Sequence, residues 1–515
     1  MYTVINTEQM KRLDSRTIKE FGIQSRVLME NAGKYCADIL HASCPDYLSM
    51  GVVILCGHGN NGGDGYVIAR WLDYYGYPVY VIPVGDGASS KETQANRDLC
   101  VKLKEIEFIS VTDEDYNDYV DAVLHEAGVI IDAIYGIGFK GTLSKEVAEL
   151  IEDVNDTDAF KVAIDIPSGI NADTGYAELA FEANITFAME SLKYGHLLGM
   201  GKLCSGQIEV VPIGVPEMLW EDEEFAIKAD EQSVFLPLRS KLAHKGDCGR
   251  IAVFAGSAGY TGAAYMASMA ALKAGAGLVT IFCQAAEMMY YTNKPYEVMV
   301  KVIPQKADGK VDTTALKTLL KPFDIILFGP GCGTSDYTYQ ILSFLVSKWD
   351  KPAVIDADGL NTLALHQNLL PKLAGKPIVL TPHWGEFCRL SGVSIEELHQ
   401  DCILHLKKFV KANKLKVLLK SDTSIYFDTN TMFINTSGND GLATGGSGDI
   451  LSGLIAGFMA QKLTPELASA TASYYLGYTA EKLAETQETF SITPTDILNS
   501  IFKFDASYDA DENND

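Results

Sequence analysis

One pattern constrains this chain more than any other: a short unbroken apolar run, then a loop of glycines and carboxylates, then a helix. Residues 51–56 form such a run, residues 57–65 such a loop, and a helix is expected from Tyr66. The runs 78–82, 128–132 and 160–165 follow, the last two ending on Asp132 and Asp165. Runs without polar alternation, separated by helices, predict parallel strands covered on both faces, which is the βαβ pattern. The same pattern restarts at 249–254, with further strands expected at 278–283, 324–328, 353–356, 377–380, 417–420 and 424–427. Ligands of such sheets sit beyond the carboxyl ends of the strands, so two sheets imply two sites.

Between the two series, residues 212–240 hold Pro212, Pro216, Pro237 and the acidic run 221–224, with no strong period. A domain boundary is expected there. The 515 residues exceed the ~250–300 that one core usually serves, in keeping with two domains. Residues 1–50 lack β alternation and are expected to form two helices, around 7–14 and 25–33. The tail 505–515 is strongly acidic and is expected to be solvated.

A formal charge of −25 repels polyanions, so neither nucleic acid nor a membrane is expected as a partner. A small phosphorylated ligand remains open to it, because local amides and one or two cations suffice. No apolar run reaches the ~18 residues of a membrane span. The ten cysteines contain no CxxC pair and no leader pattern precedes the first helix, so reduced thiols and a cytoplasmic location are expected.

Two stretches carry chemistry. Thr444-Gly-Gly-Ser-Gly-Asp449 opens a small-residue helix, aiming free amides and the positive end of the helix dipole at one point. Asp449 beside that anion hole can take a proton from a hydroxyl under phosphoryl transfer. In the first series, Gly57, Gly59 and Gly62 satisfy GxGxxG and Asp86 follows the next strand, so a nicotinamide-dinucleotide reading has to be weighed. Asn60 and Asn61 are polar enough to help build an oxygen cage for a cation, or they occupy left-handed turn positions. The loop 136–142 has the glycines and single lysine of a phosphate strap. His383 and Lys420 are candidate ligand contacts, although a lone histidine or lysine is more often solvated.

Taken together, Gly59-Asn-Asn-Gly-Gly-Asp-Gly65, Asp132-Ala-Ile-Tyr-Gly136 and Ile164-Asp-Ile-Pro-Ser-Gly169 resemble the epimerase domain of NAD(P)H-hydrate repair enzymes. His244-Lys-Gly-Asp, Gly329-Pro-Gly331, Thr381-Pro-His383 and residues 438–449 resemble its ribokinase-like dehydratase domain. The resemblance covers nearly the whole chain in the order of the bifunctional fusion. It implies a two-domain α/β protein: a Rossmann-like doubly wound sheet over 1–215, a ribokinase-like α/β/α domain over 216–504, then the tail.

The resemblance further implies that the first domain interconverts the R and S epimers of NADHX and NADPHX, which carry water at C6 of the reduced nicotinamide. Asn60, Asn61, Gly62, Gly63, Asp64, Gly136, Ile137, Gly138, Phe139, Lys140, Gly141 and Thr142 would bind the dinucleotide. Asp165 would act at the ring, and Asn61, Asp132 and Ser168 would hold potassium. The second domain would dehydrate the S epimer with ADP and Mg²⁺, releasing AMP and phosphate. Ala263, Gly331, His383 and the catalytic Asp449 would contact the hydrate; Lys420, Ser421, Asp422, Thr423, Ser424 and Gly448 would contact the nucleotide. A homo-oligomer is expected. The alternative is a ribokinase-type kinase of a small alcohol fused to a dinucleotide-binding module.

Overall fold

The computed structural model describes residues 2–85, 87–109 and 116–503; Asp86 and the acidic tail lie outside the described residues. The chain divides into two compact units, Tyr2–Phe225 with His399–Asp401, and Ala226–Leu398 with the chain from Cys402 onward.

The first unit is built on a seven-stranded, wholly parallel sheet. Its order is Ile106–Phe108, Val79–Pro83, Val52–Cys56, Val129–Ala133, Phe160–Ile164, Ile185–Met189, Gln207–Val211. Side chains alternate between two cores. Val52, Ile54, Val129 and Ile131 enter one, and Val53, Leu55 and Ile130 enter the other, all fully buried. Each such side chain contributes roughly 1.5–3 kcal/mol, which explains why the runs show no polar alternation. A short parallel pair, Thr3–Ile5 with Leu192–Lys193, lies apart from this sheet.

In the second unit the strand order is Val298–Val302, Leu278–Cys283, Arg250–Phe254, Ile325–Phe328, Ala353–Ile355, Ile378–Leu380, Lys416–Leu419, Ser424–Phe427, Met432–Asn435, Ala226–Lys228. Pairing is parallel as far as Lys416–Leu419. Ser424–Phe427 then runs antiparallel to both neighbours, which corrects the expectation of another βα step. Only four residues separate it from the preceding strand, too few for a crossover helix.

The helix Ser447–Ala460 lies against Thr261–Lys273 through small residues. A methyl group on Gly453 would sit 2.2 Å from the Ala267 carbonyl oxygen, and one on Gly457 would sit 2.5 Å from the Ala274 Cβ. The run of glycine and alanine that marked this stretch in the sequence therefore seats the helix whose first turn carries Asp449.

Several elements differ from expectation. The loop after Val52–Cys56 is shorter than 57–65, because the helix already begins at Asn60, with Gly59 as its cap. Asn60 and Asn61 are thus helical, not left-handed turn residues. Thr3–Ile5 is a strand despite the absence of alternation nearby. Ile185–Met189 contains the buried Thr186, whose hydroxyl donates to the Ser205 carbonyl at 2.7 Å, so a polar residue interrupts the apolar signal there.

Candidate functional site

In the first unit a cleft of about 780 Å³ opens at the carboxyl ends of the strands. That volume falls within the ~300–1,000 Å³ usual for ligand sites. Asn60, Asn61, Asp64, Gly136, Ile137, Gly138, Phe139, Lys140, Thr142 and Asp165 line it, so one cavity gathers ten of the residues singled out in the sequence.

Asp165 follows the strand Phe160–Ile164 and has φ +66°, a left-handed conformation costly for most side chains but tolerated by aspartate. Neighbours hold it there. Its amide donates to the Phe187 carbonyl at 2.8 Å, and the His196 Nε2 lies 2.7 Å from its own carbonyl oxygen. The Lys193 amide donates to His196 Nδ1, so that nitrogen is an acceptor and the ring proton sits on Nε2. Burial, helped by the Lys193 charge, lowers His196 to about 4, leaving it neutral.

The Asp165 carboxylate accepts from Lys193 Nζ at 2.8 Å on Oδ1 and from the Ile137 amide at 2.9 Å on Oδ2. Burial alone would raise this carboxyl, but the Lys193 charge and hydrogen bond and the Ile137 amide outweigh burial and hold it below the ordinary aspartate value. Lys193 is wholly buried, and its ammonium also donates to the Met189 carbonyl at 2.7 Å. Asp64, by contrast, is raised well above the ordinary value by burial and by the charges of Asp165 and Asp14.

Asp132 is fully buried. Its Oδ1 accepts from the Ser168 hydroxyl at 2.7 Å and the Ile134 amide at 3.0 Å, and its Oδ2 accepts from the Ser168 amide at 2.7 Å. Burial still lifts it to about 6, because the bonds from Ser168 and Ile134 only partly offset it and no cation pairs with it among the described residues. Asn61 is 7 % exposed, and both of its amide heteroatoms are buried without a partner. A methyl group on Gly136 would lie 2.8 Å from Asp165 Oδ2 and 3.3 Å from Asn61 Cγ, so that glycine lets the loop pass close to both.

Gly62 and Gly63 face the protein instead. Methyl groups there would meet the Gly57 carbonyl oxygen at 1.9 Å and the Met29 Cε at 2.5 Å. Gly141 has φ +100° with open space beside it.

In the second unit Lys420 joins the parts. Its Nζ binds Asp356 Oδ1 at 2.7 Å, its amide donates to the Pro382 carbonyl at 2.8 Å, and it forms a parallel bridge with His383. A methyl group on Gly448 would lie 3.5 Å from Lys420 Nζ and 4.0 Å from Asp356 Oδ2, which brings the helix start of Asp449 to the same place. Asp449 rises to about 6 through burial and the Asp356 charge, with Lys420 pulling the other way and Asp358 adding to the rise.

His383 caps the helix Trp384–Ser391: its Nδ1 accepts the Gly385 amide at 3.0 Å, and its own amide donates to Glu386 Oε2 at 2.9 Å. Ala263 and Gly331 adjoin, a methyl on Gly331 falling 3.2 Å from the Ala263 Cβ. Residues 420–423 form the turn between two antiparallel strands, with the Ser421 hydroxyl donating to the Thr423 carbonyl at 2.7 Å, and Ser424 opens the second strand.

Sequence reasoning passed over Lys193, His196 and Asp14, and met Asp356 and Glu386 only as members of strand-end loops, without a role. The strand-end position of Asp356, the same signal that marked Asp132 and Asp165, could have found it. Nothing local marks Lys193 or Asp14.

A buried carboxylate next to backbone amides at a strand end, and a second carboxylate in the first turn of a glycine-capped helix, give an α/β protein two candidate ligand sites, the class of arrangement found in enzymes. Comparison with known proteins narrows this. The model of the YjeF-related protein N-terminus family matches residues 25–195, and that of NAD(P)H-hydrate dehydratase matches residues 251–503. The bifunctional NAD(P)H-hydrate repair enzyme of Moorella thermoacetica is 34% identical over 511 residues, 97% of this chain and 96% of that one. The Escherichia coli enzyme of the same description is 30% identical, covering 100% of this chain and 96% of its own. A ribokinase-like superfamily protein from Enterococcus faecalis, 27% identical, covers 54% of this chain and 94% of its own with a TM-score of 0.47. The chain belongs to the family of bifunctional NAD(P)H-hydrate repair enzymes, with the epimerase in its N-terminal half and the dehydratase in its C-terminal half.

Proposed function

We propose that the cleft around Asp165 is where R- and S-NAD(P)HX interconvert, and that Asp449 is the base with which the second unit dehydrates the S epimer at the expense of ADP. The observation that carries this is where the two acids sit, Asp165 in the cleft beside the Lys193 ammonium and the Ile137 amide, Asp449 in the first turn of a glycine-capped helix near Lys420. Asp165 is held ionised at a cleft by a buried ammonium, and Asp449 is set at about 6, near a working general base, at a helix N-terminus.

In the dehydratase, Asp449 takes the C6 hydroxyl proton as that oxygen attacks the β-phosphorus of ADP. The phosphoanhydride bond breaks and AMP leaves. The ring nitrogen then expels phosphate from C6, and loss of a C5 proton gives NAD(P)H. Lys420 and the positive end of the helix Ser447–Ala460, which lie together, would face the charge that develops on the transferred group. Mg²⁺ bound with ADP would screen the polyphosphate.

Asn61, Asp132 and Ser168 are read as the potassium site. A buried carboxylate without a countercation and an amide without a partner, among the described residues, fit a monovalent cation, which would supply positive charge beside the dinucleotide phosphates. The two modules are drawn at 1–215 and 216–504.

Incubation of the protein with S-NADHX and either ADP or ATP tests the reading. NADH absorbance should return together with AMP in the ADP reaction. A phosphorylated alcohol formed from another substrate, without NADH return from the hydrate, would favour the kinase alternative.

A further inference from the structure

The epimerase cleft contains a second acid that the assignment above leaves idle. Asp14 comes from the helix Thr7–Lys19, whereas Asp165 follows the strand Phe160–Ile164, and both line the same cavity. One of its oxygens, Oδ1, is buried without a hydrogen-bond donor, so its ionised form is poorly supported. The charged or titratable groups facing it are Lys193, Asp165, Glu190 and Asp64, and Lys11 also lines the cleft. Asn61, buried and unpartnered in the same cavity, marks this as a place built for a ligand.

We propose that Asp14 is the second acid–base group of the epimerase, acting on the face of the nicotinamide ring opposite Asp165. The inference rests on the epimerase reading of this cleft. Protonated Asp14 gives its proton to the C6 hydroxyl; the C6–O bond breaks, water leaves, and the N1 lone pair forms a C6=N1 iminium. A water on the other face adds to C6 and gives its proton to Asp165, which inverts the centre. Proton exchange through water in the cleft returns the two carboxyls to their starting state.

Burial raises Asp14 to about 6, with Lys193 opposing and Asp165 and Glu190 reinforcing, while Lys193 holds Asp165 low. Two carboxyls pushed apart in this way supply one acid and one base at the same pH.

The test uses the full-length chain with R-NADHX, without ADP so that the dehydratase is idle, in ¹⁸O-labelled water. Asp14→Asn should lower kcat for inversion by about 100-fold or more, with KM changed little, and should abolish the loss of activity as pH rises through about 6. Asp14→Glu should recover much of the rate. The parent protein should take up labelled oxygen at each inversion. Full activity of Asp14→Asn beside an active parent, or inversion with retention of the original oxygen, would overturn the role of Asp14 alone. A parent that does not invert the hydrate would overturn the epimerase reading with it. Should Asp14→Asn lose cooperative melting, the Asp14→Glu rate and its pH profile decide.

Discussion

Lys193 Nζ lies 2.8 Å from Asp165 Oδ1, and no part of the lysine reaches solvent. A pair so placed is worth more as a setting for the carboxylate than as net stability, because desolvating both charges offsets most of their attraction. Breaking it is another matter. Lys193→Met should cost about 3–5 kcal/mol in urea unfolding, since Asp165 is left charged and buried. Lys193→Met with Asp165→Asn should recover most of that loss while epimerisation stays absent. Equal stability of single and double variants would show that the pair is not coupled.

At the second site, the neighbours of Asp449 fix the pH dependence. In the proposed role Asp449 works ionised, so dehydratase activity should rise as pH passes upward through about 6. Lys420 lowers the Asp449 value and Asp356 raises it. Lys420→Met should therefore displace that limb to higher pH, and Asp356→Asn to lower pH. A kcat profile that moves the same way in both variants would contradict the arrangement.

The anion loop has one rigid and one tolerant glycine. Gly446 has φ +116°, and a methyl there would sit 2.5 Å from Met266 Sδ, whereas Gly445 has nothing within 4 Å. Gly446→Ala should lower stability by about 1–3 kcal/mol, and Gly445→Ala should leave it close to that of the parent. Thermal melting of the two variants makes the comparison.

Asn61 offers a test of the cation site. Its unpartnered amide gains nothing from the protein in an ion-free buffer, so Asn61→Leu should melt at or above the parent temperature when potassium is replaced by choline. Added potassium should raise the melting temperature of the parent and not that of the variant. An equal rise in both would remove Asn61 from the site.

What the sequence revealed follows from how each signal is encoded. Asp132 and Asp165 close apolar runs, and burial on both sheet faces makes those runs continuous, so strand and candidate site were legible together. Asp449 was legible because the glycines required for its loop stand next to it. Lys193 was not. It is held by a two-residue strand paired with Thr3–Ile5, and its partner Asp165 lies 28 positions away. Asp14 sits on an amphipathic helix, where a carboxylate ordinarily reads as solvated surface. Ser424–Phe427 has the composition of a parallel strand; only the length of the turn before it reveals its direction.

The most direct measurement gives the full-length chain an equal mixture of R- and S-NADHX with ADP and follows NADH over a time short compared with uncatalysed epimerisation. The parent should convert the whole mixture, Asp165→Asn only the S half, and Asp449→Asn none, while Asp449→Asn still equilibrates the epimers. Consumption of the R half by Asp165→Asn, or NADH formation by Asp449→Asn at the parent rate, would contradict the assignment of Asp165 to epimerisation and Asp449 to dehydration.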